Sequence, residues 1–577
     1  MVYNVPMEDT SFFTSPQYLW QRRYEALRAY YVEGLSDEQI AVKFGYAPGS
    51  VTQLRHQFRN GALDFSLPGD GSGRRSITPE TRQLIISWRK QEHSAQDIVT
   101  LLGQAGVKVS VRTVERVLAE EGFSKLKRRA QRQKDTTILG AVIAQRAEKL
   151  EPAALLQNAR FVSPGAGVFL FAPLIAQIGL QELVRSAGLP ETKLIGAYNY
   201  VLSSLALKLM GTERYAHVGD HAFDTGMGLF AGLTSIPKCT ALSTYSYSLD
   251  QEHIQSLQEV FVSRISQLGW YAGGVINLDF HTAPHYGDES VLDTHWAGAR
   301  GKRMKGALTL FAQDAASKLL VYSAADIQRQ EADDQVLEFL SFWRRIRSGE
   351  SATFVFDSKL TTYKNLKKLN DQGVKFITLR RRGSKLVKAA EQLEGWKRIT
   401  IKNAKRKHPN PQVHDSLVEL RDYGGELRQL IIRENGREKP TFLVTNDLQS
   451  TATELVSTYA RRWRVENGIA EAVKFFHLNA LSSPILIKVH FDLLLTLIAD
   501  TLYWQLAQQL RGFEHCDAPK LYRHFVKGSG IVELKDKELT LTYNKRAHNP
   551  ILRAVPWEQF PQTLPWLDGI KLNLKFK

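Results

Sequence analysis

Tyr459-Ala460-Arg461-Arg462-Trp463-Arg464-Val465-Glu466, running on to Lys474, is the stretch on which the reading of this chain turns. Residues 453 to 476 have the pattern of one helix. On a continuous helix Tyr459, Arg462 and Glu466, three and four residues apart, share a face. An arginine and a glutamate on a core-facing stripe need a reason such as a metal or a phosphate, because buried charge is otherwise costly. Upstream, two aspartates each close a short apolar run of strand length: Asp279 follows Val275-Ile276-Asn277-Leu278, and Asp357 follows Phe354-Val355-Phe356. An aspartate at a strand end ordinarily caps the next turn, so neither is diagnostic alone. Three carboxylates delivered by two strand ends and a helix are another matter. They form the donor set of a two-metal phosphoryl-transfer site, since Mg²⁺ takes oxygen ligands and keeps several waters.

The surroundings predict an α/β core. Strands are expected at 307–311 and 318–322 on either side of a Gln313-Asp314 turn, a helix from about 333 to 347, a helix at 362–369 and a strand at 374–379. Asp357 and Glu466 are far enough apart for an inserted subdomain. Its content reads as strands at 396–402, 416–422, 426–434 and 440–445, with Asn435-Gly436 as a hairpin turn. Residues 380 to 439 hold 16 Lys and Arg against 8 Asp and Glu, so this segment supplies nearly half of the chain's net charge of +17. A basic β platform bearing Arg381, Arg382, Lys405, Arg406 and Lys407 is suited to clamp DNA near a cleavage site.

These motifs together resemble the DDE transposases of bacterial insertion sequences, in the group whose ribonuclease-H-like core carries a β-rich insertion before the glutamate. The family signature Tyr-x2-Arg-x3-Glu-x6-Lys is matched at Tyr459, Arg462 and Glu466, with the commonly seen Trp at Trp463, while Lys474 lies one residue late. Phe442-Leu443-Val444-Thr445-Asn446 before the glutamate helix is also similar to the family, and the resemblance covers roughly 270 to 510. It implies a catalytic core over 271–380 and 441–512 with the insertion at 381–440. It also implies that Asp279, Asp357 and Glu466 are catalytic and hold two Mg²⁺ ions, Mn²⁺ being able to substitute, with Asp288 and Asp293 as alternatives for the first position. Tyr459, Arg462 and Lys474 would contact DNA phosphate. The partners implied are double-stranded DNA, both the transposon's terminal inverted repeats and the target, and a second copy of the chain in a homodimer on DNA. Hairpin formation on the transposon end stays open.

The N-terminal part predicts all-α, tandem helix-turn-helix modules at 15–65 and 74–124. In the first, Ser36 and Gln39 make a capping box, and a helix starting at Ser50 carries Arg55 and Arg59. In the second, Thr78-Pro79-Glu80 and Ser94 open helices, and Ser110 opens a recognition helix with Arg112 and Arg116. The Gly- and Pro-rich linker between them bears Arg74 and Arg75, which suit a minor groove. Residues 125–270 read as a basic linker, Lys125-Leu126-Lys127-Arg128-Arg129 with Arg132 and Lys134, followed by a helical apolar region. Residues 513–577 form a C-terminal region, expected to be helical.

Composition agrees with a polyanionic partner: 76 Lys and Arg face 59 Asp and Glu. Two cysteines, Cys239 and Cys516, exclude a disulfide framework or a Cys-rich zinc module. The opening residues lack the basic start and apolar core of a secretion signal, and the most apolar runs are interrupted by Pro173 and Asp500. No membrane helix and a cytoplasmic, nucleoid-associated location are therefore expected. The function expected is end binding with metal-dependent strand cleavage and transfer. The rival readings are a domesticated, non-catalytic DNA-binding derivative and a stand-alone nuclease of the same fold.

Overall fold

The computed structural model describes residues 19–61, 63, 77–90, 93–121, 123, 147–155, 157–286, 292–297, 301–325, 327–401, 407–480 and 485–577. Arg74, Arg75, the basic run 125–134, Asp288, Lys405 and Arg406 lie outside them. The chain divides into two compact units, residues 1–84 and 85–577.

The first unit holds three short helices, α1 (Leu19–Tyr31), α2 (Asp37–Phe44) and α3 (Pro48–Arg59), closed around Ala26, Leu27, Ile40, Phe44, Val51 and Leu54. The expected capping box is present: the Ser36 hydroxyl accepts from the Gln39 amide at 3.3 Å and Gln39 Oε1 accepts from the Ser36 amide at 2.9 Å. Gly45 ends α2 with φ of +65°, the left-handed turn that glycine adopts without a Cβ penalty. Helix α3 begins at Pro48 rather than Ser50, since proline's fixed φ suits the first helical position. Helix α4 (Pro79–Lys90) runs across the division between the units.

Within the second unit, α5 (Ala95–Gln104) and α6 (Val111–Glu120) follow, α6 capped by Ser110 and burying Val114, Val117 and Leu118. The apolar region contributes α7 (Ala197–Leu209), buried along its whole length, and α8 (Gln251–Gln267). No single helix among the described residues is long and apolar enough to cross a membrane, although the bent pair Ala166–Ile178 and Leu180–Ser186, at 57°, passes by length and composition together.

The core is one ten-stranded mixed sheet. Its strands are β2 (Val275–Pro284), β3 (Thr294–Ala297), β4 (Lys302–Asp314), β5 (Leu320–Ala324), β6 (Thr353–Phe356), β7 (Lys375–Leu379), β8 (Lys397–Arg398), β9 (Gln412–Leu420), β10 (Gly425–Arg433) and β11 (Thr441–Thr445). They lie in the order β3-β4-β2-β6-β7-β11-β10-β9-β8, with β5 also on β4. Strand β2 is antiparallel to β4 and parallel to β6, and β6 is parallel to β7. The strands between Asp357 and Glu466 extend this sheet through the β7–β11 and β11–β10 pairings rather than standing as a separate platform, and α11 (Ser384–Glu391) lies among them. Helices α9 (Gln335–Ile346) and α10 (Tyr363–Asp371) connect β5 to β6 and β6 to β7.

The single helix expected over 453–476 is two, α12 (Ala452–Ala460) and α13 (Trp463–Phe475). Between them the amides of Arg461, Arg462, Arg464 and Val465 bond three residues back instead of four, which tightens the turn. Helix α14 (Leu486–Gln509) then fills the centre of the unit beside α7, where the buried Lys208 ammonium bonds Asp492 at 2.7 Å and the Phe476 carbonyl at 2.8 Å.

The C-terminal part is not helical as expected. It carries β12 (Gly530–Lys535), β13 (Glu538–Tyr543), β14 (Thr563–Leu564) and β15 (Ile570–Phe576), which join β1 (Ala159–Ser163) in a second sheet ordered β1-β12-β13-β15-β14. Strict alternation of buried and half-exposed residues in β12 and β13 is the reason: a period of two buries one face of a strand and no face of a helix.

Gly167 shows how closely the two ends of this unit meet. A β-carbon there would lie 1.7 Å from the Val526 carbonyl oxygen, so Gly167→Ala forces backbone movement. The expected loss is about 2 kcal/mol or more, read by urea or thermal unfolding. A second test concerns Asp500 and Glu471, which line a cleft of about 480 Å³. Burial, and secondly the Glu471 charge, hold the Asp500 carboxyl well above the usual carboxylate range. Stability from the neutral acid is therefore full at low pH and lost as pH rises through the folded value. Asp500→Asn is expected to raise the melting temperature at pH 8, with a gain that shrinks toward pH 4.

Candidate active site at the helix break

Asp279 and Asp357 reach one face of the sheet because strand side chains alternate. Val275, Ile276 and Asn277 pair with Thr353, Phe354 and Val355, a register that brings the two aspartates level on adjoining strands. The first expected boundary shifts slightly: β2 does not end at Asp279 but runs through it to Pro284, whereas Asp357 does close β6. Helices α12 and α13 cover this same face. Under α12, Val355, Ile377, Leu430, Ile432 and Leu443 pack against Leu455 and Val456. Helix α13 comes close to β4 at Gly468, where an added β-carbon would meet Gln313 Nε2 at 2.6 Å. The break between the helices thus sits over the aspartates.

Arg462, at the break, ties the site together. Its Nη1 bonds Asp279 Oδ2 at 3.0 Å and its Nη2 bonds Glu466 Oε1 at 2.6 Å. Arg462 and Asp279 are largely buried, at 14% and 19% side-chain exposure, while Glu466 is half open to solvent at 52%. Burial raises the Asp279 carboxyl; the Arg462 charge opposes this, and Glu466 and Asp357 reinforce it. For the Arg462 guanidinium burial acts to lower the value, but Asp279, Glu466 and Asp357 outweigh it and the guanidinium is held more firmly charged than usual. Burial pushes the Tyr459 phenol up to about 12, Arg462 opposing and Asp357 adding to it; the guanidinium stands 5.9 Å from the Tyr459 ring centroid. Asp357 accepts from the Ser358 hydroxyl at 3.1 Å.

These groups open on a cleft of about 410 Å³ lined by Asp357, Tyr459, Arg462, Trp463 and Glu466 together with Asn435 and Arg437. Arg437 is not among the residues expected at the site. It comes from the β10–β11 loop, which returns to the site because β11 lies beside β7, so the Asn435-Gly436 turn was the available signal. Arg381 follows β7 and its guanidinium reaches the Ser358 carbonyl at 3.5 Å, next to Asp357. Arg382 instead bonds the Pro440 carbonyl. Lys474 is exposed in the last turn of α13, where its charge acts on Glu471. Lys407 is exposed. Asp293 lies beyond β2, and its carbonyl accepts from the Gly306 amide, five strand positions from the Asp279 level.

Among the reading-helix residues, Arg55 turns inward: it bonds Asp37 at 2.7 Å and stacks over Tyr30 at 4.0 Å. In this structure its guanidinium is thus engaged inside the module. Arg59 donates to the Tyr31 hydroxyl at 3.3 Å. Arg112 is exposed, and Arg116 is exposed with Glu120 at 3.8 Å.

The donor set at the break consists of carboxylate oxygens, the ligand type of a hard divalent cation. Among the described residues no three His, Cys, Asp or Glu side chains close into a cation cage, and Arg462 engages one oxygen of Asp279 and one of Glu466. The second oxygen of each lies outside its fork. By double-mutant cycle, Arg462 and Asp279 are expected to couple by on the order of 1 kcal/mol or more in unfolding free energy, and Arg462 and the half-exposed Glu466 by less. Equal coupling in both cycles would contradict this ranking.

Residues 275–502 match the family model of the transposase DDE domain, a span that starts with β2, ends in α14 and includes all three carboxylates. No curated protein matches the chain. Over those residues the chain carries a DDE transposase domain.

Proposed function

We propose that this protein is a DNA transposase that binds transposon ends, cuts them and joins them to target DNA. The observation that carries the reading is the convergence of Asp279, Asp357 and Glu466 on one sheet face, inside a domain of the transposase DDE family and next to a guanidinium suited to phosphate. Asp279, Asp357 and Glu466 would hold two Mg²⁺ ions, with Mn²⁺ able to substitute, and that pair supplies activation of the attacking water or 3′-hydroxyl and stabilisation of the leaving oxygen.

The chain's own groups have distinct tasks. Arg462 exchanges carboxylate for a phosphate oxygen of the bound strand, since its fork matches either partner bidentately. Tyr459, kept neutral by burial, offers a hydroxyl hydrogen bond to the same phosphate. Arg381 and Arg437, beside Asp357 and in the cleft wall, bring further positive charge to the strand. The exposed Arg112 and Arg116 of α6 hold DNA at a distance from the chemistry. Synapsis of two ends favours a homodimer on DNA, and an intracellular DNA substrate favours a cytoplasmic, nucleoid-associated location.

Cleavage and joining on duplexes bearing the element's ends, with Mg²⁺ or Mn²⁺, test the reading. Asp279→Ala, Asp357→Ala and Glu466→Ala are each expected to lose at least about 10³-fold in rate while retaining end binding. A native chain that binds ends and never cuts is the domesticated DNA-binding derivative instead. Cutting without joining identifies a nuclease.

A further inference from the structure

The sheet extends well past the helices that cover its active face. Strands β2 and β4 pair without a register shift from Ile276 with Asp314 to Pro284 with Gly306, and the His285 amide donates to the Lys305 carbonyl at 2.9 Å. On the other side of β4, β3 pairs Thr294 with Lys305 and Trp296 with Arg303. Alternation along these registers sets Trp296, Arg303 and Lys305 on the face that bears Asp279.

Near the carboxylates that face is closed, by α13 at Gly468 and by the 2.8 Å bond between His281 and Asn479. Farther out it is open. Trp296 is 56% exposed, and Thr294, Arg303 and Lys305 are exposed, whereas on the opposite face His295 and Ala297 are buried. The three-stranded extension therefore buries His295 and Ala297 on one face and presents a tryptophan, with an arginine as its cross-strand partner, to solvent on the other. No described residue on the open face beyond Asp279 is acidic. Arg303 lies eight residues along β4 from Phe311, the partner of Asp279, which is roughly 27 Å at about 3.4 Å per residue and matches about eight base-pair steps of duplex.

We propose that this extension is a second DNA-holding arm, which grips the duplex about eight base pairs from the phosphate at the carboxylates. Arg303 neutralises a backbone phosphate and Trp296 packs against the adjoining sugar or base. The inference rests on the reading that DNA lies at the carboxylates, and it adds where the flanking duplex runs: along the β2–β4 face rather than away from it.

Binding of the full-length chain to a 40-base-pair duplex carrying the element's terminal repeat, without divalent ions, separates the two levels. Trp296→Ala is expected to weaken binding about tenfold, with Trp296→Phe restoring most of it. Arg303→Ala should lower the slope of log affinity against log salt by about 0.9. Both effects should vanish on duplexes shortened to about four base pairs from the reacting phosphate on the arm side. Lys302→Ala, on the other face, should bind like the native chain. Unchanged affinity and salt slope in both arm variants overturns the arm while leaving the transposase reading intact, and so do equal losses on long and short duplexes. Arm variants that keep DNA affinity but lose self-association in sedimentation make this face a surface between copies and also overturn it. A native chain that binds none of these duplexes removes the transposase reading and the arm with it.

Discussion

Three carboxylates on one face repel one another, and the fold tolerates them because Arg462 stands among them. Asp279, at 19% side-chain exposure, is far more enclosed than Glu466 at 52%, so an uncompensated charge there would be costlier. The guanidinium meets it at 3.0 Å and extends its second arm to Glu466 at 2.6 Å. Much of the architecture serves to hold that one side chain in position. The tightened turn between α12 and α13 aims it at the sheet. The apolar layer under α12 fixes one helix, and the close approach at Gly468 fixes the other. Rigid placement of the strands then sets where Asp279 and Asp357 meet it.

Arg462 balances the carboxylates as an internal counter-ion, engaging one oxygen of Asp279 and one of Glu466. A DNA phosphate offers Arg462 an alternative partner of the same charge and geometry. In the proposed reaction the arriving strand would take the place of those two carboxylate oxygens on Arg462.

Much of this was legible in the sequence, and the failures have physical causes. Asp279 and Asp357 were visible because short apolar strands run directly into them, and Glu466 because three side chains recur at helical spacing. The break between α12 and α13 was not visible: Ala460-Arg461-Arg462-Trp463 contains neither glycine nor proline, so no local breaker marks the tightened turn. Arg55 reads as a base-reading donor on an exposed helix, yet Asp37 and Tyr30, distant in sequence, draw it inward. The C-terminal strands were a misread period. Ile531-Val532-Glu533-Leu534 and Leu539-Thr540-Leu541-Thr542 alternate at two, the strand signal. The last two strands before Glu466 were located to within a residue or so, while β9 starts at Gln412 rather than Ser416 and β8 is only Lys397–Arg398; strand propensity in any case does not say which edge a strand joins. Their addition to β7 through β11 is a tertiary choice.

That choice matters for the site. Because β10 and β11 continue the core sheet, the loop between them falls beside β7, and Arg437 enters the same cleft as Asp357 and Tyr459. A separately folded platform would need a hinge, and its cations would move relative to the carboxylates. Built as further strands of one sheet, the basic segment keeps register with Asp279 through an unbroken ladder of backbone hydrogen bonds. The same logic holds at the opposite edge, where β3 and the far half of β4 belong to the ladder that carries the first aspartate. Positive charge on both sides of the carboxylates is thus positioned by a single rigid element, the condition under which a long polyanion can be held in line with one reacting phosphate.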